Sequence, residues 1–223
     1  MKKKIIFIIT IIFVLVLSLV SLNIYAKGDE ITTKTEDINK NENIVFLGDS
    51  IFDFFETDLV FSDLPTVNSG ISGNKTTDIL ADLENRVYKY NPTKVFINIG
   101  TNDIAKYEGY DYATVDEVAD NIIEITKNIQ KNRPYCKIYL ISIYPVHTEM
   151  KFAFGRTNEE IMSINSKIKE YSAVTDGIDY IDAYSQLVDE NNQLNPKLTD
   201  DGLHPNDLGY AKITEILMKY IYQ

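Results

Sequence analysis

The 223-residue chain contains a single cysteine, Cys136, so it cannot form an intramolecular disulfide. Cys136 begins an apolar stretch, and we expect it to be a small buried side chain. The chain has fewer basic than acidic residues, with 22 lysines and arginines and 33 aspartates and glutamates, which gives a net charge of −11. Binding to nucleic acid requires clustered basic side chains, and this balance therefore argues against a nucleic-acid partner. Two histidines, His147 and His204, and scattered carboxylates do not make a zinc-ligand pattern.

Long hydrophobic runs are confined to the N-terminus. Three lysines precede an almost unbroken apolar run over residues 5–20, which predicts a signal peptide or a membrane anchor within residues 1–26. Ile24-Tyr25-Ala26 suits cleavage, whereas the length of the run approaches that of a membrane span, so both forms stay open. Either form predicts a protein that is secreted or anchored to the outer face of the cytoplasmic membrane. Residues 27–43 are polar and predict a solvated linker.

From Ile44 onward, the patterns of strands and helices alternate. Apolar runs predict strands at 44–47, 94–100, 136–143 and 178–181, with a weak further candidate at 67–68. Helical stripes cover 76–90 and 206–222, and two more helices begin at the capping boxes Thr114/Glu117 and Thr157/Glu160. The alternation predicts an α/β domain over residues 44–223, with a parallel sheet and helices on both faces.

Ser50 follows the first predicted strand, within Gly48-Asp49-Ser50. Because ligands bind outside the carboxyl ends of the strands in such sheets, Ser50 is a candidate nucleophile. Serine is also a common helix N-cap, which is the alternative for this position. Three further loops carry polar groups: Asn68–Asn74, Gly100–Asp103 and Asp200–Pro205.

Ester hydrolysis by a serine needs a base, and His204 is the candidate. Asp201 lies three residues before it, a spacing that can bring the carboxylate to the imidazole. Candidate oxyanion donors are the N–H groups of Ser50 and Gly73 and the side-chain amide of Asn102. Taken singly, these residues also suit ordinary roles: a turn glycine, a helix-capping Asn, a loop His and a helix N-terminal Asp. His147 fits no part of this arrangement, and we interpret it as a loop histidine.

These four blocks, in this order, resemble those of the SGNH hydrolases, also called GDSL-type esterases or lipases. Gly48-Asp49-Ser50-Ile51 is similar to the nucleophile block, with Ile51 where Leu is common. Gly73 matches the oxyanion glycine, and Gly100-Thr101-Asn102-Asp103 matches the oxyanion asparagine block. Asp201-Gly202-Leu203-His204-Pro205 matches the closing block. The resemblance implies a three-layer α/β/α sandwich of flavodoxin-like type. It also implies a Ser50-His204-Asp201 triad, an oxyanion hole of Ser50, Gly73 and Asn102, a structural Asp49, and no metal or organic cofactor.

The substrate is less well defined by the sequence. A domain of this size without long insertions leaves little room for a lipid tunnel, and we expect a carboxylic ester hydrolase for short acyl groups, acetyl in the first place. The predicted location and the family resemblance suggest acetylated cell-wall or polysaccharide sugars. Of Phe52, Phe54 and Phe55, we expect at least one to pack inward and another to line the pocket, and the segment from His147 to Arg156 is a candidate for the pocket wall. Alternatives are a lysophospholipase or thioesterase with the same site, or a catalytically silent, tethered carbohydrate-binding protein. The sequence leaves the oligomeric state open.

Overall fold

The computed structural model describes residues 43–109 and 111–223, and the predicted signal or anchor and residues 27–42 of the predicted linker lie outside this range. The described residues belong to one compact unit, Glu42–Gln223. The strands are β1 Ile44–Gly48, β2 Thr66–Gly70, β3 Lys94–Asn98, β4 Lys137–Ile141 and β5 Ile178–Ile181. The helices are α1 Ser50–Asp53, α2 Thr57–Val60, α3 Thr76–Ala81, α4 Leu83–Arg86, a 3-10 turn at Tyr88–Tyr90, α5 Val115–Asn132, α6 Asn158–Ala173, α7 Tyr184–Leu187 and α8 Asp207–Ile221.

The five strands form one parallel sheet in the order β2-β1-β3-β4-β5. This is the strand order of flavodoxin-like folds. The predicted α/β/α fold is therefore confirmed. The weakly indicated strand at 67–68 is confirmed as β2, which pairs with β1 over five residues, from Ile44↔Thr66 to Gly48↔Gly70.

Alternation along the strands divides the core into two layers. Val45, Leu47 and their counterparts in β3 and β4 face one layer, which is covered by α5 and α6. Ile44 and Phe46 face the opposite layer, which is covered by α8 and the segment around α1 and α2. Because both faces of each central strand are buried, the middle of each strand is a continuous apolar run, as the sequence pattern indicated. Cys136 is buried as expected, and burial raises the pKa of its thiol to about 12.

The predicted helix over residues 76–90 is wrong as a single element. The chain breaks at Asp82, with φ −139° and ψ 35°, and at Val87, with φ −134° and ψ −57°, so two short helices and a 3-10 turn replace it. The apolar stripe is still correct, since Ile79, Leu83 and Val87 are buried. The spacing of apolar residues indicates which side chains are buried, but it does not indicate whether the backbone between them is one continuous helix.

The other long helices lie where they are predicted. Thr114 caps α5 by accepting a hydrogen bond from the N–H of Glu117, and Thr157 does the same for α6 with Glu160. The helical stripe over residues 206–222 places Leu208 on the same side of α8 as Ile213 and Leu217, and this is wrong, since Leu208 is exposed while Ile213 and Leu217 are buried. In the described part of the chain, none of the helices has the length and apolar character required to cross a bilayer.

Candidate active site

The candidate residues gather at the carboxyl ends of the three strands at one side of the sheet. Ser50 follows β1, Gly73 lies in the loop after β2, and Asn102 lies in the loop after β3. The chain moves from β1 outward to β2 and then back across to β3, so the strand order reverses beside β1. Such a reversal leaves a crevice between the diverging loops, which is where open α/β sheets bind their ligands.

Ser50 is the first residue of α1, and Asp49 is its N-cap. The Asp49 carboxylate Oδ1 accepts a hydrogen bond from the Ile51 N–H at 3.0 Å. The alternative role of Ser50 as the helix N-cap is therefore wrong. The prediction that Asp49 shapes the nucleophile turn agrees with this contact.

Ser50, His204 and Asp201 form a hydrogen-bonded chain. The Ser50 Oγ lies 3.0 Å from the His204 Nε2, and the His204 Nδ1 lies 2.7 Å from the Asp201 Oδ2. The other Asp201 oxygen accepts hydrogen bonds from the backbone N–H groups of Leu203 and His204, each at 2.8 Å. A serine hydroxyl in contact with an imidazole that is itself held by a carboxylate is the arrangement of nucleophile, base and orienting acid.

The environment of Asp201 favours its charged form. Partial burial raises its pKa, but the hydrogen bonds from His204 and from the backbone N–H groups of Leu203 and His204 outweigh burial and lower the pKa below its ordinary value. Asp201 is therefore ionised at neutral pH and can stabilise an imidazolium on His204.

The loop that carries Asp201 and His204 is closed by Thr199, which sequence reasoning missed. The Thr199 hydroxyl donates to the His204 carbonyl at 2.8 Å and accepts from the Gly202 N–H at 2.9 Å. Gly202 has φ +90°, and an added Cβ would lie 2.5 Å from the Cβ of Met150. The close approach of the segment around Met150 therefore requires glycine here. A single threonine in a loop has no distinctive sequence signal.

The three predicted oxyanion donors lie in the loops that follow the neighbouring strands β1, β2 and β3. Within residues 43–109 and 111–223, the backbone N–H groups of Ser50 and Gly73 donate to no other protein group. Gly73 has φ +81°, and the space where a Cβ would stand is open. The Asn102 Nδ2 donates to the carbonyl of Asn74 at 3.1 Å. Free donors beside a nucleophile can receive the negative charge that develops on a carbonyl oxygen.

Two buried arginines brace the loops that carry these donors. Arg86 donates to the carbonyl of Gly48 at 3.1 Å and also to the side chain of Asn74. Arg156, only 1% exposed, donates to the Asn102 Oδ1 at 3.1 Å and to the Thr101 carbonyl at 2.8 Å. Sequence reasoning missed Arg86 and placed Arg156 in a pocket wall, because a buried arginine is recognised only once its partners in other loops are known.

Aromatic side chains flank the imidazole. The ring of Phe54 lies 5.4 Å from that of His204, and the ring of Phe152 lies 5.8 Å from it. Phe52 and Phe55 are buried, whereas Phe54 is 54% exposed, so the three phenylalanines divide between core and site surface as expected.

His147 lies near the site without joining the triad. Its backbone N–H donates to the Gly202 carbonyl at 2.8 Å, and its side-chain Nδ1 is buried without a hydrogen-bond partner in the described residues. Among those residues, no three His, Cys, Asp or Glu side chains cluster as a metal site.

Comparison with known proteins decides the family. The model of the GDSL-like lipase/acylhydrolase family matches residues 46–212, which includes every candidate site residue. The chain belongs to the GDSL-like lipase/acylhydrolase family. The resemblance inferred from the four sequence blocks is confirmed, and the protein is an ester hydrolase by family.

Individual relatives of this GDSL-like acylhydrolase are distant. An N-acylneuraminate cytidylyltransferase of Escherichia coli is 28% identical over 82% of the chain, which spans only 41% of that relative. The human platelet-activating factor acetylhydrolase IB subunit alpha2 is 25% identical over 83% of the chain and 78% of its own length. Among solved structures, a GDSL-like lipase from Bacteroides thetaiotaomicron is 26% identical with a TM-score of 0.72, covering 86% of this chain and 95% of the other.

Proposed function

We propose that this protein is an extracytoplasmic serine esterase that removes short acyl groups, acetyl in the first place, from cell-wall or polysaccharide sugars. The observation that carries the proposal is the chain of hydrogen bonds from Ser50 through His204 to Asp201. Its distances suit proton transfer without rearrangement of the three side chains.

In the proposed mechanism, the Ser50 Oγ attacks the ester carbonyl while the His204 Nε2 takes the hydroxyl proton. The carbonyl oxygen becomes negative and accepts hydrogen bonds from the N–H groups of Ser50 and Gly73 and from the Asn102 Nδ2. Asp201 stabilises the imidazolium through the His204 Nδ1, at a separation of 2.7 Å.

Collapse of this intermediate breaks the bond to the leaving alcohol. His204 returns the proton to the alcohol oxygen, and the acyl group remains on Ser50. A water molecule then attacks the acyl-enzyme, His204 takes a proton from that water, and the same donors stabilise the second oxyanion. Release of the carboxylic acid restores the Ser50 hydroxyl.

Crowding around the nucleophile supports a short acyl group. Ser50 is only 6% exposed, and the oxyanion side chain of Asn102 is also buried. Arg156, which is also buried, donates to the Asn102 side chain, so packed protein adjoins this donor. A long acyl chain would have to displace packed groups, whereas an acetyl methyl needs little room. The acetylhydrolase among the relatives, which removes an acetyl group by name, agrees with this preference.

The N-terminal sequence supports the location. Lys2, Lys3 and Lys4 precede the apolar run, so the positive-inside tendency places the following domain outside the membrane. Polymeric sugars of the cell surface are the acylated alcohols that an enzyme in that location meets. The lysophospholipase or thioesterase alternative uses the same triad and differs in chain-length preference, and the silent carbohydrate-binding alternative predicts no turnover.

Acyl preference is tested with p-nitrophenyl acetate, butyrate and octanoate and with a long-chain lysophosphatidylcholine. We expect kcat/KM to be highest for acetate and to fall steeply beyond butyrate. Preference for octanoate or for the lysophospholipid would overturn the short-acyl proposal, and a folded protein inactive on every ester would favour the binding-protein alternative. Cell fractionation tests the location, since recovery of the full chain in the cytosol would contradict it.

A further inference from the structure

The catalytic base defines where the leaving alcohol binds. In the proposed reaction, the His204 Nε2 donates a proton to the alcohol oxygen, so that oxygen must come within hydrogen-bond distance of the imidazole. Groups around the imidazole therefore contact the alcohol. Phe54 is one of them, with its ring 5.4 Å from the His204 ring.

Unlike Phe52 and Phe55, Phe54 is 54% exposed. Phe52 and Phe55 fill the core, and Phe55 stacks on Tyr210 with ring centroids 5.3 Å apart. Single exposed apolar side chains are common on protein surfaces. What distinguishes Phe54 is that it contacts the catalytic base on one side and lines a groove on the other.

This groove has a volume of about 520 Å³, within the range of small-ligand sites. It begins at Phe54 and at Pro205, the residue directly after His204, and it continues along α8 past Tyr210 to Thr214. Phe54 and Pro205 thus place one end of the groove next to His204.

The charges in the groove select among alcohols. Glu56 and Asp207 supply carboxylates, and no lysine, arginine or histidine stands among the described residues that line it. Carboxylates accept hydrogen bonds from hydroxyl groups and repel phosphates and other anions. An aromatic face beside two carboxylates suits a ring with an apolar face and hydroxyl groups at its edge.

We propose that this groove is the subsite for the leaving alcohol and that it binds a neutral sugar ring. The apolar face of the sugar packs on Phe54, and its hydroxyl groups donate to Glu56 and Asp207. The proposal rests on the proposed function, because it assumes that His204 protonates an alcohol.

The test compares two acetate esters in the full-length protein: mono-acetylated xylobiose, which has a sugar to place in the groove, and ethyl acetate, which does not. We expect Phe54→Ala to raise KM for acetylated xylobiose about tenfold more than it raises KM for ethyl acetate, because only the sugar loses a contact with the ring of Phe54 along the groove. Tyr135→Ala removes an aromatic ring that is 98% exposed at the opposite ends of the strands and is the matched control.

Equal effects of Phe54→Ala on both esters would overturn the subsite. A Phe54-dependent preference for acetylcholine or for an acetylated glycerophospholipid over acetylated xylobiose would overturn the assignment to sugars. If the wild type fails to cleave ethyl acetate at all, the proposed function itself fails, so the two failures are distinguishable.

Arg156 contacts the predicted oxyanion residue Asn102 directly. Its guanidinium donates to the Asn102 Oδ1, and the amide NH₂ of Asn102 then faces away from the cation. Further hydrogen bonds to the Thr101, Phe152 and Ala153 carbonyls fix the guanidinium in place. The positive guanidinium next to the amide oxygen polarises the amide and makes the Nδ2 hydrogens better donors.

We infer that Arg156 is a positioning residue that acts through Asn102 on the oxyanion. Arg156→Met should lower kcat for p-nitrophenyl acetate at least about tenfold with little change in KM, since the donor matters most in the transition state. In an Asn102→Ala background, the same substitution should have almost no further effect on kcat, because the group through which it acts is absent.

The double-variant comparison separates positioning from a structural role. If Arg156 only stabilises the fold, its substitution lowers activity by the same factor with and without Asn102, which would overturn the inference. An unchanged kcat in a folded Arg156→Met protein would overturn it as well. Arg156→Lys, which keeps the charge but not the planar fork, should recover part of kcat.

Discussion

Replacement of Asp49 by Asn should change how stability depends on pH. The Asp49 carboxylate is fully buried, its Oδ1 accepts from the Ile51 N–H, and its Oδ2 has no hydrogen-bond partner in the described residues. Burial raises its pKa from 3.8 to about 7, despite the hydrogen bond from Ile51 and the charge of Arg156, which lower it. The folded state therefore holds a proton on Asp49 at pH values where the unfolded chain has lost it.

The sign and size of the effect follow from proton linkage. Between about pH 4 and pH 7 the folded protein binds the extra proton, so the contribution of Asp49 to stability decreases as pH rises through this window and is constant above it. A pKa that moves from 3.8 to about 7 corresponds to a total on the order of 4 kcal/mol. Asparagine keeps the acceptor for the Ile51 N–H and does not ionise, so Asp49→Asn does not lose this stability as the pH rises.

The assay is urea unfolding of both proteins at several pH values from about 4 to about 8. The free energy of unfolding of Asp49→Asn, minus that of the wild type, should rise by a few kcal/mol across the window. Other carboxylates that do not interact with Asp49 are common to both proteins and cancel, whereas the charge of Asp103 contributes to the raised pKa of Asp49 and belongs to the effect that is measured. Asp176→Asn at an exposed position is the control. A difference that stays constant or falls with pH would refute the reasoning.

Three further substitutions test the site and the packing. Asn102→Ala should lower kcat/KM on p-nitrophenyl acetate by about 10²–10³ through loss of one oxyanion donor, in a protein that still folds cooperatively; full activity would contradict its role. Gly70→Ala should lower stability by about 1–3 kcal/mol in urea unfolding, because its Cβ would lie 2.2 Å from the backbone N of Asp53; an unshifted midpoint would contradict the close packing. Phe46→Ala should cost about 3–5 kcal/mol, since Phe46 is fully buried among four other rings; a loss below about 1 kcal/mol would contradict that burial.

The sheet was predictable from the sequence because its strands are buried on both faces. Ile44–Leu47 and Val95–Ile97 carry uninterrupted apolar runs that local pattern alone identifies. β2 was only weakly indicated, since Thr66, Asn68 and Gly70 are polar or small. Its outer position in the sheet, where it pairs with β1 alone, lowers the demand for apolar side chains.

The residues that perform chemistry were predictable, and the residues that hold them were not. Ser50, Asp201 and His204 stand in short blocks whose order and spacing carry the signal. Arg86 and Arg156 support the site through hydrogen bonds to loops far away in the sequence. Long-range partners of this kind leave no local pattern, so only the folded chain reveals them.

The measurement that tests the account most directly compares the wild type with Ser50→Ala for hydrolysis of p-nitrophenyl acetate. Ser185→Ala, at an exposed position, is the matched control. We expect turnover by the wild type and the control, and a kcat at least about 10³-fold lower for Ser50→Ala, because the acyl-enzyme cannot form. Equal activity of Ser50→Ala and the wild type would contradict the assignment of Ser50 as nucleophile.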